Sequence, residues 1–119
     1  MNSIYQEIII DHYKNPRNFG QLKKYDKKTL VSNPFCGDKM EMTICFTGNK
    51  IKDIKFKGIG CAISQASASM LTEYVKNKKK NQLVKLDKNF ILKILKIELS
   101  PLRLKCALLP LEALKKITK

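Results

Sequence analysis

The middle of the chain alternates between apolar and polar side chains, which is the pattern of half-buried β-strands. One alternating run covers residues 40–47 and another covers 51–57. Gly48-Asn49 lies between them and is typical of a two-residue hairpin turn. A further extended stretch at 27–32 precedes both runs. These segments predict a small antiparallel meander of three strands.

Helical periodicity appears on both sides of the meander. A first helix is predicted over residues 3–14, with Ser3 as its cap and Pro16 as the residue that ends it. Another helix is predicted over residues 62–75. This second segment is rich in alanine and serine, so we expect it to pack close to the sheet.

The last third of the chain is divided by lysines and by a proline. The stretch at 76–80 is interpreted as a polar linker, and an amphipathic helix is predicted over 83–97. Ser100-Pro101 is interpreted as a break before a last helix that begins near residue 105. The overall prediction is a single α+β domain over residues 1–119, with helices packed on a three-stranded antiparallel sheet.

Length and composition are those of one globular domain. The chain has 119 residues, of which 44% are hydrophobic. It contains no apolar run of about 18 residues, so no transmembrane helix is expected. The first seven residues contain neither a basic leader nor a small-residue cleavage site, which predicts a cytoplasmic location. In that reducing compartment, cysteines are expected as ligands or reactive thiols rather than as disulfides.

The formal net charge of +14 raises the question of an anionic partner. All basic residues except Arg17 and Arg103 are lysines, and they are spread along the chain without interleaved aromatic residues. This distribution favours a solvated exterior over a nucleic-acid or membrane surface. The charge also favours acidic protein partners, whereas no membrane partner is expected and a nucleic-acid partner is the less favoured alternative.

Three cysteines lie beside turns or predicted helix starts. Residues 33–38 (Asn-Pro-Phe-Cys-Gly-Asp) place a thiol and a carboxylate on either side of a glycine, which allows a tight turn. Cys61 precedes the small-residue helix, and Cys106 is predicted in the first turn of the last helix, where the helix dipole favours a thiolate. We interpret these segments as one metal site, formed by Cys36, Asp38, Cys61 and Cys106.

The chemistry of this set leaves the metal open. Three thiolates and one carboxylate suit a tetrahedral zinc ion, and they also suit an iron–sulfur cluster with a labile carboxylate ligand. Spacing alone also allows the three cysteines to lie beside turns by chance. Cys45 is expected in mid-strand on the face opposite Ile44, so we do not expect it to bind metal. His12, the one histidine, is expected to pack or cap rather than to ligate.

The sequence resembles the U-type iron–sulfur cluster assembly proteins, the IscU, SufU and NifU N-terminal family. The matching segments follow the family's order: 11–18 (Asp-His-Tyr-Lys-Asn-Pro-Arg-Asn), 33–38, 58–70, which opens Gly-Ile-Gly-Cys-Ala-Ile-Ser, and 103–107 (Arg-Leu-Lys-Cys-Ala). The resemblance implies an α+β fold with a three-stranded antiparallel sheet covered by helices, the SufE/NifU-like scaffold fold. It also implies that the metal or cluster ligands are Cys36, Asp38, Cys61 and Cys106.

The resemblance further implies a function in iron–sulfur cluster assembly. The protein is expected to accept persulfide sulfur from a cysteine desulfurase and to assemble a 2Fe–2S cluster or pass it on. Downstream partners would be iron–sulfur apo-proteins or a further scaffold. The acceptor is the cysteine matching Cys36 in the SufU branch and the one matching Cys106 in IscU-type proteins.

Lys105 distinguishes the two branches. IscU-type scaffolds carry a histidine immediately before the last ligand cysteine, whereas this chain has Lys105, as in the SufU branch. Lys105 is a candidate catalytic residue, with a solvated charge beside an anionic site as the alternative. The 45-residue interval from Cys61 to Cys106 nevertheless resembles the IscU length, since SufU proteins carry an insertion there. Residues 99–103 (Leu-Ser-Pro-Leu-Arg) match the IscU chaperone-recognition segment only in part.

Four functional hypotheses remain from the sequence, of which the first two are forms of an iron–sulfur cluster assembly protein. The leading one is a cluster scaffold, which is not itself an enzyme. A SufU-like, zinc-dependent sulfur-transfer protein is the nearest alternative and would be a sulfurtransferase. A binding module with purely structural zinc belongs to a different class, as does a nucleic-acid-binding protein, which gives the cysteines no role.

Overall fold

The computed structural model of the protein describes residues 3–34 and 37–118, and it describes Ser3 by its backbone only. The predicted Ser3 cap and the predicted ligand Cys36 therefore lie outside the described atoms. Within the described ranges, no helix is both long enough and apolar enough to cross a membrane.

The chain forms a three-stranded antiparallel sheet in the order β1-β2-β3, with helices before and after it. The strands are β1 (Lys27–Asn33), β2 (Asp38–Thr47) and β3 (Lys50–Ile59). The helices are α1 (Ser3–Lys14), α2 (Ala62–Val75), α3 (Lys80–Leu83), α4 (Lys88–Leu95) and α5 (Pro101–Ile117). This architecture confirms the predicted α+β class, the meander and the two-residue turn between β2 and β3.

A β-bulge between Cys45 and Phe46 shifts the register of the β2–β3 hairpin. The bulge adds one residue to β3 between the partners of Cys45 and Phe46. Ile51 and Ile54 are therefore both fully buried although they are three residues apart. Cys45 pairs with Asp53 in mid-strand and is half-buried, in agreement with its predicted position.

One face of the sheet packs against α2 and α5 and forms the core. The small side chains of α2 allow a close approach to α5, where the Ser67 hydroxyl donates a hydrogen bond to the Ala107 carbonyl at 2.7 Å. Fully buried side chains from strands and helices fill the space between them: Met40, Met42, Ile44, Phe56, Leu71, Leu109 and Leu114.

The segment after α1 covers one edge of the sheet. α1 ends at Lys14, before the predicted proline break. The Gly20 N–H then donates to the Phe56 carbonyl at 2.7 Å, and the Phe56 N–H donates to the Asn18 carbonyl at 3.0 Å. The Phe19 ring packs edge-on against the Phe56 ring at 5.5 Å between centroids. These contacts hold the segment against β3.

The lysine-rich stretch at 76–80 is docked on the sheet, which corrects its interpretation as a linker. The Ile51 N–H donates to the Lys78 carbonyl at 3.0 Å, and the Asn77 N–H donates to the Ile51 carbonyl at 2.8 Å. The Lys78 ammonium lies 5.0 Å from the centre of the Tyr74 ring. Backbone pairing of this kind does not depend on side-chain type, so the composition of the stretch does not predict it.

The single helix predicted over 83–97 is wrong, because α3 ends at Leu83 and only α4 (Lys88–Leu95) lies within that range. The side chain of Asp87 accepts a hydrogen bond from the Phe90 N–H at 3.2 Å and caps α4. Such a cap contributes about 1 kcal/mol and favours a new helix start at this position. The helix ends where Lys96 adopts a left-handed conformation with a φ of 56°.

The last helix begins earlier than predicted, because Ser100-Pro101 starts α5 and does not break it. The Ser100 hydroxyl accepts a hydrogen bond from the Arg103 N–H at 3.3 Å. Proline suits the first helical position, where an N–H would have no partner within the helix. Cys106 therefore lies in the second turn of α5 and not in the first. The helix dipole acts more weakly there than we predicted.

Candidate metal centre

Three of the four predicted ligands lie together in the structure. Asp38, Cys61 and Cys106 place one carboxylate oxygen and two sulfur atoms within 4.8 Å of one another. They come from the first residue of β2, the N-terminus of α2 and the second turn of α5. Segments that are distant in the sequence therefore converge at one end of the sheet.

A tight turn between β1 and β2 positions Asp38. Asn33 and Asp38 form the last pair of the β1–β2 ladder, and the Gly37 N–H donates to the Asn33 carbonyl at 2.9 Å. Gly37 has a φ of 73°, a conformation that glycine adopts without steric penalty. Asp38 is only 3% exposed. The predicted proximity of the two ends of this turn, Asn33 and Asp38, is therefore confirmed. Cys36 itself lies outside the described residues.

Cys61 is the N-cap residue of α2, as predicted. Its backbone N–H donates a hydrogen bond to Asp38 Oδ1 at 3.3 Å, and its Sγ lies 3.9 Å from Asp38 Oδ2. The position at the positive end of the helix dipole stabilises negative charge on the sulfur. The same backbone therefore orients the carboxylate and places the thiol beside it.

Two glycines make room for this approach. A Cβ atom at Gly58 would collide with the Lys39 carbonyl oxygen, so only glycine allows β3 to lie this close to β2. A Cβ atom at Gly60 would collide with the Ser64 hydroxyl oxygen and lie 3.4 Å from the Asp38 carboxyl group. The Ser64 hydroxyl donates to the Cys61 carbonyl at 3.1 Å and lies 3.9 Å from its Sγ.

Cys106 is fully buried, whereas its neighbour Lys105 is exposed. Lys105 lines a cavity of about 280 Å³ between the end of β1 and α5, which Asn33, Pro34 and Glu112 also line. Lys105 therefore lines a neighbouring cavity and is not a member of the described ligand group.

The donor set fits zinc or iron. Tetrahedral zinc with Zn–S bonds of about 2.3 Å holds its donor atoms about 3.7 Å apart. The described atoms lie within 4.8 Å of one another, so small side-chain rotations bring them to that spacing. Two sulfurs and one carboxylate oxygen occupy three positions of a tetrahedron and leave the fourth for a further ligand.

Two other candidate residues are not members of this group. Among the described residues, the group contains Asp38, Cys61 and Cys106 but not Cys45 or His12. His12 is a buried packing residue between α1 and α2, as the sequence predicts.

Burial lowers the pKa of His12 below its usual value of 6.5, and the Arg17 guanidinium lowers it further. The carboxylates of Glu73 and Asp11 raise the pKa by smaller amounts. His12 Nδ1 lies 2.7 Å from the Ser69 hydroxyl, which also accepts the Arg17 N–H at 2.8 Å. The Ser69 hydrogen is then available to Nδ1, so this arrangement suits the neutral imidazole with its proton on Nε2.

Sequence reasoning missed Ser64 and the steric role of Gly60. Serines are frequent in α2, and nothing in their spacing distinguishes the one whose hydroxyl lies beside the Cys61 sulfur. The sequence signal that was available is that Gly60 and Ser64 are only four residues apart, on either side of a predicted helix start.

The comparisons with known proteins agree with this architecture. The family model for the NifU-like N terminal domain matches residues 4–119. Iron sulfur cluster assembly protein 1, mitochondrial, from Debaryomyces hansenii is 41% identical over 98% of this chain, which spans 66% of that protein. The zinc-dependent sulfurtransferase SufU of Bacillus subtilis is 36% identical over 98% of this chain and 90% of its own length.

A solved structure is also similar. It is that of a putative iron–sulfur cluster assembly scaffold protein for the SUF system from Fervidobacterium islandicum AW-1, with a TM-score of 0.81 and 33% identity over 98% of both chains. The alignment with the Bacillus SufU extends over 134 positions, more than the 119 residues of this chain, so that relative is longer in the aligned region. The chain belongs to the family of NifU-like N-terminal domains.

Proposed function

We propose that this protein is an iron–sulfur cluster assembly scaffold that accepts sulfur from a cysteine desulfurase. One observation carries the proposal, which is the convergence of Asp38, Cys61 and Cys106 from three separate elements. Two thiols and a buried carboxylate at this spacing suit the binding of thiophilic metals. The Debaryomyces and Fervidobacterium relatives, whose names refer to cluster assembly, support the same function.

Cys36 is proposed as the fourth ligand. It precedes Asp38 by two residues, so the covalent chain keeps the two Cα atoms within about 7.6 Å of each other. A cysteine side chain on such a short tether can reach the group that includes the Asp38 carboxylate. The complete set would then be Cys36, Asp38, Cys61 and Cys106.

Sulfur enters by thiol exchange. A cysteine thiolate attacks the terminal sulfur of the desulfurase persulfide, a new S–S bond forms on this chain, and the desulfurase cysteine leaves as a thiolate. Cys106 is fully buried, so it cannot meet a partner's persulfide unless the residues that cover it move. We therefore propose Cys36 as the first acceptor and Cys106 as a ligand.

A zinc-dependent sulfurtransferase activity is the second candidate, and Lys105 favours it. A protonated lysine cannot bind metal, so the centre lacks the exchangeable histidine of IscU-type scaffolds. The Bacillus relative is named as such an enzyme. In either function, Lys105 would offset the negative charge of the thiolates and the carboxylate. Bound zinc would act as a Lewis acid in the sulfurtransferase, whereas a bound cluster would be the cargo of the scaffold.

The test is anaerobic purification followed by measurement of zinc, iron and sulfide, and of desulfurase turnover with and without the protein. Iron and sulfide in equal amounts support the scaffold, whereas zinc with strong stimulation of turnover supports the sulfurtransferase. Cys36→Ser should abolish persulfide transfer, and Cys45→Ser is the matched control that should leave it unchanged. Absence of bound metal together with absence of stimulation contradicts both functions.

A further inference from the structure

We propose that Ser64 is a positioning residue of the candidate metal centre. Its hydroxyl donates a hydrogen bond to the Cys61 sulfur when that sulfur binds metal as a thiolate, and it strengthens the centre without joining the ligand set. This inference rests on the proposed function, because it requires Cys61 to be a ligand.

Ser64 lies close to the Cys61 sulfur because of its place in α2. Cys61 is the N-cap of this helix, so Ser64 is its third residue. Side chains at these two positions face each other across the first helical turn, as in a capping box. The Ser64 hydroxyl oxygen lies 3.9 Å from the Cys61 Sγ, which is within the range of hydrogen bonds to sulfur.

The Ser64 hydroxyl is confined at this position. Ser64 is fully buried, and its oxygen occupies the space that a Cβ atom at Gly60 would need. The same Cβ atom would lie 3.4 Å from the Asp38 carboxyl group, so the hydroxyl and the carboxylate flank Gly60. The hydroxyl is therefore held beside two of the proposed ligands and is shielded from water.

Two side-chain oxygens of the described residues lie 3.9 Å from the Cys61 Sγ, one on Asp38 and one on Ser64. An ionised carboxylate only accepts hydrogen bonds, so Asp38 can bind metal but cannot donate to a thiolate. A hydroxyl both accepts and donates. Of these two neighbours, Ser64 is therefore the one that can stabilise the negative charge of the sulfur by a hydrogen bond.

The hydroxyl hydrogen can turn towards the sulfur without leaving a buried acceptor unpaired. In the structure, Ser64 donates to the Cys61 carbonyl at 3.1 Å, and this carbonyl also accepts the Gln65 N–H at 3.1 Å. The helix bond from Gln65 remains when the hydroxyl hydrogen rotates to Sγ. A charged acceptor forms the stronger hydrogen bond, so a thiolate is favoured over a neutral carbonyl that keeps its other partner.

The charge of the centre makes this donor important. Three thiolates and one carboxylate around a divalent ion leave a net charge of about −2. Asp38 and Cys106 are buried, so water contributes little to the stabilisation of this charge. Each hydrogen bond donated to a ligand therefore increases metal affinity, and a bond to Cys61 also withdraws electron density from its sulfur.

The experiment compares the wild type with Ser64→Ala, which removes the hydroxyl group alone. Competition with a chromophoric chelator measures zinc affinity, and the sulfur-to-metal charge-transfer band of the cobalt(II)-loaded protein reports the electron density on the ligand sulfurs. Ser64→Ala should weaken zinc binding by about tenfold. The cobalt band should move to lower energy, because a thiolate without the hydrogen bond gives up an electron more readily.

Ser67→Ala is the matched control. Ser67 lies in the same helix, is fully buried and donates a hydrogen bond to the Ala107 carbonyl at 2.7 Å. Both variants lose a buried hydroxyl, so both should be less stable in urea unfolding. Ser67→Ala should nevertheless keep the zinc affinity and the cobalt band of the wild type. Ser64→Thr retains the hydroxyl, so it should keep the wild-type band even if Ser64→Ala binds no cobalt.

The position of the cobalt band decides the outcome. A band that moves in Ser64→Ala, and in neither Ser67→Ala nor Ser64→Thr, supports the hydrogen bond. An unmoved band in Ser64→Ala overturns it, even if zinc affinity falls, because the effect of Ser64 is then one of packing. An equal shift in Ser67→Ala, or a Ser64→Thr band that matches Ser64→Ala, also overturns it.

The ligand variants Cys61→Ser and Asp38→Ala separate this inference from the proposed function. If both bind zinc as tightly as the wild type, the proposed ligand set is wrong and the role of Ser64 fails with it. If both lose zinc while Ser64→Ala keeps the wild-type cobalt band, the ligand set stands and only the role of Ser64 is wrong.

Discussion

The backbone N–H of Cys61 donates a hydrogen bond to the Asp38 carboxylate at 3.3 Å, which links the N-cap of α2 to the first residue of β2. The Cys61 sulfur lies 3.9 Å from the other oxygen of that carboxylate. One hydrogen bond therefore sets the relative position of two of the proposed ligands, and changes at either residue should alter metal binding before they alter the fold.

Asp38→Ala should weaken zinc binding by about tenfold or more, because it removes a buried anionic donor. Asp38→Asn should have an intermediate effect, since its amide oxygen can still accept the Cys61 N–H but carries no charge. Competition with a chelator measures the affinity. Asp53→Ala is the control, because Asp53 is not in the ligand group and contacts only other parts of the chain: it pairs with Lys76 at 3.1 Å and accepts the Ile54 N–H at 2.9 Å. Equal affinities of wild type and Asp38→Ala would exclude Asp38 as a ligand.

Gly60→Ala should destabilise the protein by about 1–3 kcal/mol, because the added methyl group overlaps the Ser64 hydroxyl oxygen. Urea unfolding of the metal-free protein measures the loss. The double variant Gly60→Ala with Ser64→Ala removes the atom that the methyl group meets, so it should recover part of the stability. If the double variant is no more stable than Gly60→Ala alone, the steric explanation is wrong.

The free energy of unfolding should decrease as the pH falls below about 6.5, because the buried His12 has a lowered pKa in the folded state and an ordinary one in the unfolded state. The unfolded state then binds the proton first, so the stabilisation is complete above that pH and is lost towards the folded-state pKa. Urea unfolding of metal-free protein across this range measures the effect.

His12→Gln is the matched control for this pH dependence. Glutamine can still bond to the Ser69 hydroxyl but does not titrate, and the chain has no other histidine. The variant should therefore lose most of the pH dependence in this range. An unchanged dependence in His12→Gln would show that other groups cause it.

The sequence predicts the sheet and the first two long helices well, because their patterns are periodic and local. Alternation over 40–47 requires only that one face of a strand is buried, and Pro16 ends α1 by its own geometry. The predicted proximity of Asp38, Cys61 and Cys106 is also confirmed. The positions of these residues beside turns and helix starts suggested that prediction, and the motif resemblance supported it.

The errors of prediction arise where one residue type can have two opposite effects on local structure. Proline either breaks a helix or starts one, and the preceding Ser100, whose side chain caps α5, decides the outcome. Asp87 acts in the same way between α3 and α4. The exposed Leu30 and Ile59 could not be predicted, because alternation cannot show that apolar residues on an outer strand face remain uncovered.

The measurement that tests the central claim most directly is X-ray absorption spectroscopy of the zinc-loaded protein. We predict a first shell of three sulfur atoms and one oxygen atom at zinc distances of about 2.3 Å and 2.0 Å. Cys36→Ser, Cys61→Ser and Cys106→Ser should each remove one sulfur, and Cys45→Ser should remove none. A shell of four sulfur atoms, or a shell that loses a sulfur in Cys45→Ser, would contradict a centre formed by Cys36, Asp38, Cys61 and Cys106.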